Sequence, residues 1–248
     1  MANKGMKSFN VDCALCPSRT KSVLCHLNAA ELTRIDDNKT CIIYKKGQTI
    51  LHENGHPLGV YSIYDGKVKI VRSGNEGKDQ IVRLIKSGDI FGYRALFSNT
   101  RYNASAIALE DSRICFIPRD AFLTILHSNS NLSLDLIKLL ALELGRAEQT
   151  ITHIAQKTVK ERTAEALLSL KETYGTEKDG ATINISLSRE DIASLVGTAT
   201  ETVIRLLSVF RREKTLDLIG KKIKILDLKK LVLEANCESF TNKKHIFF

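Results

Sequence analysis

The stretch Ser188–Arg212, SREDIASLVGTATETVIRLLSVFRR, decides the fold of the C-terminal part of the chain. Ser188 starts a helical pattern that stops at Gly197, and Thr198 or Thr200 starts the next. Glycine just past the last periodic residue is a stop signal, because it accepts the left-handed backbone that closes a helix. Two short alternating pieces follow, Leu216–Ile219 and Lys222–Leu226, around Gly220, Lys221 and Lys222. A last helix covers about 227–235. Helix, short turn, helix and basic hairpin is the order of a winged helix-turn-helix.

In such a unit the second helix enters the major groove and turns its N-terminal residues to the base edges. Thr200, Glu201, Ile204 and Arg205 share one face of that helix, with Val203, Leu206, Leu207 and Phe210 facing the core. The exposed set has the right chemistry. Arginine pairs bidentately with guanine, glutamate accepts from cytosine, and threonine or an apolar side chain touches a thymine methyl. Residues 205–224 hold seven basic side chains against two acidic ones. Arg211, Arg212, Lys221 and Lys222 are therefore expected to neutralise phosphates beside the reading face. The plainer reading of Glu201 and Arg205 is an i, i+4 surface ion pair.

Upstream lies a long helix. Ile137, Leu140, Leu144, Ala147, Ile151, Ile154 and Thr158 are spaced alternately by three and four, and six of the seven are apolar. That is a coiled-coil seam and points to a partner helix, hence a homodimer. The alternative is a helix packed on its own domain. From about 40 to 118 the pattern is of short apolar or alternating runs separated by Gly, Asn and Asp. Tyr64-Asp65-Gly66-Lys67 and Ser73-Gly74-Asn75-Glu76-Gly77 read as hairpin turns. Strands at this spacing imply an antiparallel barrel or jelly roll. Asn28 with Glu31 reads as the cap of a short helix over 28–37. Residues 159–173 form a helix, and ATINISL (181–187) reads as a strand. The fold class is α+β: a cysteine-rich segment over 1–27, a β-roll over 28–127, a dimerisation helix over 128–158, a winged domain over 159–236 and a tail over 237–248.

Composition agrees with that reading. The 248 residues are 43% hydrophobic and 26% charged, which excludes a mainly disordered chain. Lys and Arg exceed Asp and Glu by nine (37 against 28), a balance that favours polyanionic partners. No apolar run reaches the roughly 18–20 residues that span a bilayer, so no membrane partner is expected. The N-terminus has lysines but no apolar core of a secretory signal, so the chain is read as cytoplasmic. Six cysteines in a cytosolic chain are better read as buried thiols, metal or cluster ligands, or redox groups than as disulfides. Cys13, Cys16 and Cys25 cluster, whereas Cys41, Cys115 and Cys237 are isolated. A lone Cys-x-x-Cys is a redox pair, half a zinc site or two corners of a cluster. The six histidines are scattered, and no P-loop, GxSxG or HExxH is present, so an enzyme is not expected. The enzyme alternative, thiol-redox catalysis, lacks the βαβ pattern that a thioredoxin-like site requires.

Three stretches carry a family resemblance. They are Ser87-Gly88-Asp89-Ile90-Phe91-Gly92, the pair Glu161-Arg162, and Glu201-Thr202-Val203-x-Arg205-Leu206-Leu207. The sequence resembles the cyclic-AMP receptor protein/FNR superfamily of bacterial transcription regulators over nearly its whole length. The resemblance implies a β-roll of the cyclic-nucleotide-binding type, a dimer on palindromic DNA, and RNA polymerase as a partner. Thr200 in place of an arginine resembles the FNR branch, which reads TTGA…TCAA half-sites, although Ile204 replaces that branch's serine. Tyr93 stands where the cyclic-AMP receptor has its ribose-binding glutamate, and no arginine occupies the phosphate position near Asn103, which implies that cyclic nucleotide is not the signal. Cys13 and Cys16, with Cys25 and the distant Cys115 in a segment ending Phe116-Ile117-Pro118, resemble FNR's ligands for an oxygen-labile [4Fe–4S] cluster. Cys25 departs by lying three residues farther from the pair. Zinc on Cys13, Cys16, Cys25 and either Cys115 or His26 is the alternative, as is a small ligand in the β-roll. Cys41 and Cys237 are read as plain buried thiols.

Overall fold

The computed structural model describes residues 7–74 and 78–237. The Asn75–Gly77 part of the second turn, His245 and the aromatic end Ile246-Phe247-Phe248 lie outside the described residues. Two compact units form, one from residues up to 77 with 82–142, the other from 78–81 with 143 onward. No single helix among the described residues is long and apolar enough to cross a membrane.

The first unit is a β-roll of two antiparallel sheets. One holds, in spatial order, β1 (Thr40–Tyr44), β8 (Ser112–Pro118), β3 (Gly59–Asp65) and β6 (Ile90–Phe91). The other holds β2 (Thr49–Leu51), β7 (Ser105–Ala108), β4 (Lys67–Ser73) and β5 (Asp79–Lys86). Strand side chains alternate between faces. In β8, Ile114 therefore joins Tyr44, Ile63, Val68 and Phe91 inside the roll, while Ile117 joins an outer core with Val60, Leu32, Ile35 and Phe122. Helix α1 (Ala29–Asn38) covers that outer face, and its start is fixed as the sequence implies: Asn28 and Glu31 exchange side-chain-to-backbone bonds of 3.0 and 2.8 Å.

Lys7–Phe9 pairs with the free edge of β1 through Ile43 N to Lys7 O (2.9 Å) and Phe9 N to Cys41 O (3.1 Å). The chain then wraps over the outer face, where Leu24 and Leu27 are buried. Helix α2 (Tyr93–Ser98) carries no side-chain cap and no readable start signal, and its N-cap is Gly92 at φ +89°. Helix α3 (Arg119–Ser128) ends at Asn129, whose side chain accepts from Leu132 N (2.9 Å) and starts α4 (Ser130–Gln156).

In the second unit α5 (Val159–Tyr174), α6 (Arg189–Val196) and α7 (Thr200–Arg212) precede the hairpin β9 (Leu216–Ile219) and β10 (Lys222–Ile225) and helix α8 (Leu228–Glu234). Thr158 with Glu161 and Ser188 with Asp191 form capping boxes. Thr158 therefore belongs to the start of α5, not to the α4 seam. ATINISL forms no strand; it makes only single bridges, Ile183 to Thr176 and Thr182 to Lys224 at the hairpin's edge. Leu226 lies just past β10.

The chain does not fold back on itself at Gly66. Tyr64-Asp65-Gly66-Lys67 joins no hairpin, since β3 and β4 lie in different sheets. Gly66, at φ +117°, redirects the chain from one sheet to the other. A Cβ there would lie 2.6 Å from Ser112 Cβ and 2.8 Å from its Cα. Gly66→Ala combines a left-handed backbone with that overlap and should cost about 2–3 kcal/mol of stability. Denaturant unfolding of the full chain checks this, and a loss under about 0.5 kcal/mol would contradict it.

Candidate functional site

Helices α6 and α7 meet at 101° across a turn built by Gly197, which ends α6 in the left-handed conformation (φ +73°). This falls in the range of about 90–120° found for helix-turn-helix pairs. Val203, Leu207 and Phe210 are fully buried and anchor α7. Glu201, Ile204 and Arg205 are exposed on the opposite face, with Thr200 half-buried at the helix start. Leu206 is half-buried, so it lies at the rim of the core and not within it. The face holds an acceptor, a fork of donors and a methyl-bearing side chain, the three groups needed to read base edges.

The basic residues fall into two sets. Arg211 pairs with Asp217 (Nε–Oδ1 3.0 Å), and Lys222 pairs with Glu177. Arg205, Arg212 and Lys221 are exposed. Lys221 stands at the tip of the β9–β10 turn, which Arg189 at the start of α6 holds by donating to Gly220 O (3.0 Å). Arg189 is thus a positioning residue that sequence reasoning missed. Arg162 is another. It donates to Lys157 O (2.8 Å) and Ile154 O (3.4 Å) near the end of α4 and to Val196 O (3.2 Å) at the end of α6. One guanidinium thereby satisfies carbonyls that two helix ends leave open. At the same junction, Lys157 bridges Glu165 (3.1 Å) and Cys237 (2.9 Å), and His153 Nδ1 lies 3.0 Å from Glu165.

Along α4, Ile137, Leu144, Ala147, Ile151 and Ile154 are exposed in the single chain, and Leu140 is half-buried. Ile137 and Leu144 are each 61% exposed and Ile151 68%, an apolar line that water does not favour.

The cysteines are arranged differently from the sequence expectation. Cys13 is half-buried; its amide donates to Asp36, and Lys39 donates to its Sγ (3.1 Å). Burial pushes the Cys13 thiol up to about 11, against the pull of Lys39. Cys16 and Cys25 are half-buried free thiols on the same wrapping segment. Cys115 is not free. It lies opposite Cys41 in the β1–β8 ladder and is disulfide-bonded to it. Among the described residues, no three His, Cys, Asp or Glu side chains come together to hold a metal ion. The set Cys13, Cys16, Cys25 and Cys115 therefore does not fit a four-thiolate cube in this arrangement, and neither zinc set converges. Cys41, expected to be a plain thiol, is the partner. A separation of 74 residues hides that pairing from local sequence.

Tyr93 is fully buried, within 3.4 Å of Arg83, and offers no carboxylate to a ribose. Arg94 and Arg101 line a pocket of about 410 Å³ with Phe97, Ser98, Thr100 and Leu140.

Residues 41–129 match the family model described as cyclic nucleotide-binding domain, and residues 161–233 the one described as Crp-like helix-turn-helix domain. The chain is similar to a CRP-like cAMP-activated global transcriptional regulator of Mycobacterium tuberculosis, 30% identical over 77% of this chain and 86% of that protein. It is 27% identical to a fumarate and nitrate reduction regulatory protein of Yersinia pestis, over 88% and 87% of the two chains. The solved structure of FixK2 from Bradyrhizobium japonicum superposes with a TM-score of 0.69 at 26% identity, covering 78% of this chain and 95% of that one. With a β-roll, a long helix and a winged helix-turn-helix in that order, the chain belongs to the cyclic-AMP receptor protein/FNR family of DNA-binding transcription regulators.

Proposed function

We propose that the chain works in the cytoplasm as a homodimeric regulator that binds TTGA-type palindromes and responds to redox state through its cysteines. The observation that carries the reading is the exposed Glu201–Ile204–Arg205 face of α7, held outward by the buried Val203, Leu207 and Phe210. Two such helices reach half-sites about one helical turn apart when two chains pair. The apolar line of α4 supplies the pairing surface. RNA polymerase is the protein partner implied. The protein acts by binding, without catalysis of its own.

The signal enters through thiols. Cys13, Cys16 and Cys25, all free, sit on the segment that wraps the roll. Oxidation or nitrosation there shifts the population between forms of different DNA affinity. A [4Fe–4S] cluster supplies no step of this mechanism, since Cys115 is bonded to Cys41. Visible iron–sulfur absorbance from protein purified without oxygen would restore the cluster as the sensing group.

Arg205→Ala should weaken binding to a TTGA palindrome by about 1–3 kcal/mol, roughly 5- to 150-fold, and relax selectivity at one base step. Lys221→Ala should weaken all sequences alike and lower the salt slope by about one. Fluorescence anisotropy with specific and scrambled duplexes measures both, and equal losses on the two duplexes for Arg205→Ala would refute the base-reading role. Ile151→Glu places charge on the seam and should shift the chain from dimer to monomer in sedimentation at micromolar concentration. An unchanged sedimentation coefficient would remove α4 as the dimer surface.

A second reading has one observation behind it. The pocket holding Arg94 and Arg101 with Ser98 and Thr100 suits a small anion with an apolar part. If a doubly substituted Cys13→Ala/Cys16→Ala protein keeps its response to the inducing condition while Arg94→Ala loses it, this pocket is the sensor.

A further inference from the structure

The proposed function does not use Cys41, and the sulfur of Cys115 is spent on it. The two stand in direct register, Cys41 in β1 and Cys115 in β8, 4% and 8% exposed. By strand alternation they share the outer face of the sheet with Ile117. Pairing of β1 with β8 runs from Thr40–Phe116 to Tyr44–Ser112, so backbone bonds already hold this register on both sides of the disulfide. In a reducing compartment, the disulfides that do form are mostly transient and redox-sensing.

We infer that Cys41 and Cys115 form a reversible dithiol–disulfide site, oxidised by a hydroperoxide and reset by a low-molecular-weight thiol. This rests on the thiol-responsive regulator proposed above. One thiolate attacks the peroxide oxygen; its sulfur becomes a sulfenic acid and water leaves. The second sulfur attacks that sulfenic sulfur, the S–S bond forms, and a second water leaves. Two thiols lose two electrons and two protons, and one hydrogen peroxide becomes two waters. Reset is two thiol–disulfide exchanges, in which two small thiols become one small disulfide.

The fold supplies both a door and a consequence. Beside Cys41 the free edge of β1 carries only the Lys7–Phe9 segment, a single β-bridge at Ser8–Ile42 with two backbone bonds, one to Cys41 O itself. A segment held by so few bonds lies at the low end of local stability, so it opens to admit a small oxidant. Making or breaking the bond changes how β1 is held between β8 and the Lys7–Phe9 segment, which leads into the cysteine-bearing wrap.

The test uses the full chain, treated with hydrogen peroxide or with dithiothreitol, then denatured in maleimide, digested and mapped by mass spectrometry. The expected result is a linked peptide pair carrying Cys41 and Cys115 after peroxide, and both residues alkylated after dithiothreitol on the folded protein. Peroxide should also change the affinity of the wild-type chain for a TTGA duplex by about fivefold or more, and Cys41→Ser and Cys41→Ala should each abolish that change. Absence of the linked pair overturns the site. Persistence of the link under dithiothreitol makes it a fixed staple and overturns the switch. A wild-type peroxide response in both Cys41 variants overturns its regulatory role. If the reduced chain binds no palindrome, the DNA reading fails, while the peptide map still decides the site.

Discussion

Side chains on a strand alternate between two faces, and in β8 that alternation divides the first unit into two cores. Ile114 points into the roll; Ile117, three residues on, points out into a second core with α1, α3 and the wrapping segment. The roll alone would leave Val60, Ile90 and Ile117 wet. Each such residue is worth about 1.5–3 kcal/mol when buried, so the outer face must be covered. Leu24, Leu27, Leu32 and Ile35 cover it. The cysteine-bearing segment is therefore part of the fold as well as a candidate sensor. Anything that alters its seating changes the burial of a core.

The second unit depends on how its helix ends are satisfied. Carbonyls at the C-termini of α4 and α6 would be left open, and Arg162 takes up both. Glu161, beside it, caps α5 through Thr158 and also receives Asn236 Nδ2 (3.0 Å). The pair that reads as a family marker is thus a junction device: one residue starts a helix and the other ties two helix ends to it. Lys157, Glu165, His153 and Cys237 add a half-buried ionic cluster to the same place, and burial pushes the Cys237 thiol up. A charge introduced or removed there would be felt by α4, α5 and α8 together.

What could be read in the sequence was what local chemistry decides. Asn28 with Glu31, Ser188 before α6, and Gly197 after it are contacts within four residues, and each marks its boundary. The exposed and buried faces of α7 follow from a period of 3.6, apart from Leu206 at the rim. Pairing across the chain could not be read. Asp65-Gly66 has the composition of a hairpin turn, yet β3 and β4 choose other partners because burial on two sheets outweighs a local turn preference. Helix α2 has six residues and a glycine N-cap, too little period to register. Cys41 and Cys115 meet only because a register set elsewhere aligns β1 with β8. The ligand set drawn from the resemblance assumed that Cys115 had no nearer sulfur.

The pairing of Cys115 is set by its place in the sheet. A thiol in a sheet can be delivered to a loop only if its neighbour across the ladder is inert. With cysteine opposite, the nearer sulfur is held by the register, whereas the loop sulfurs of Cys16 and Cys25 must be brought in at a cost in chain entropy. Proximity therefore favours the Cys41–Cys115 bond over a bond to either loop sulfur. Cys13 is poorly placed to compete: its thiol is raised by burial, its amide is held by Asp36, and its sulfur is held by Lys39. Register thus gives Cys115 a partner that no loop sulfur has to reach for.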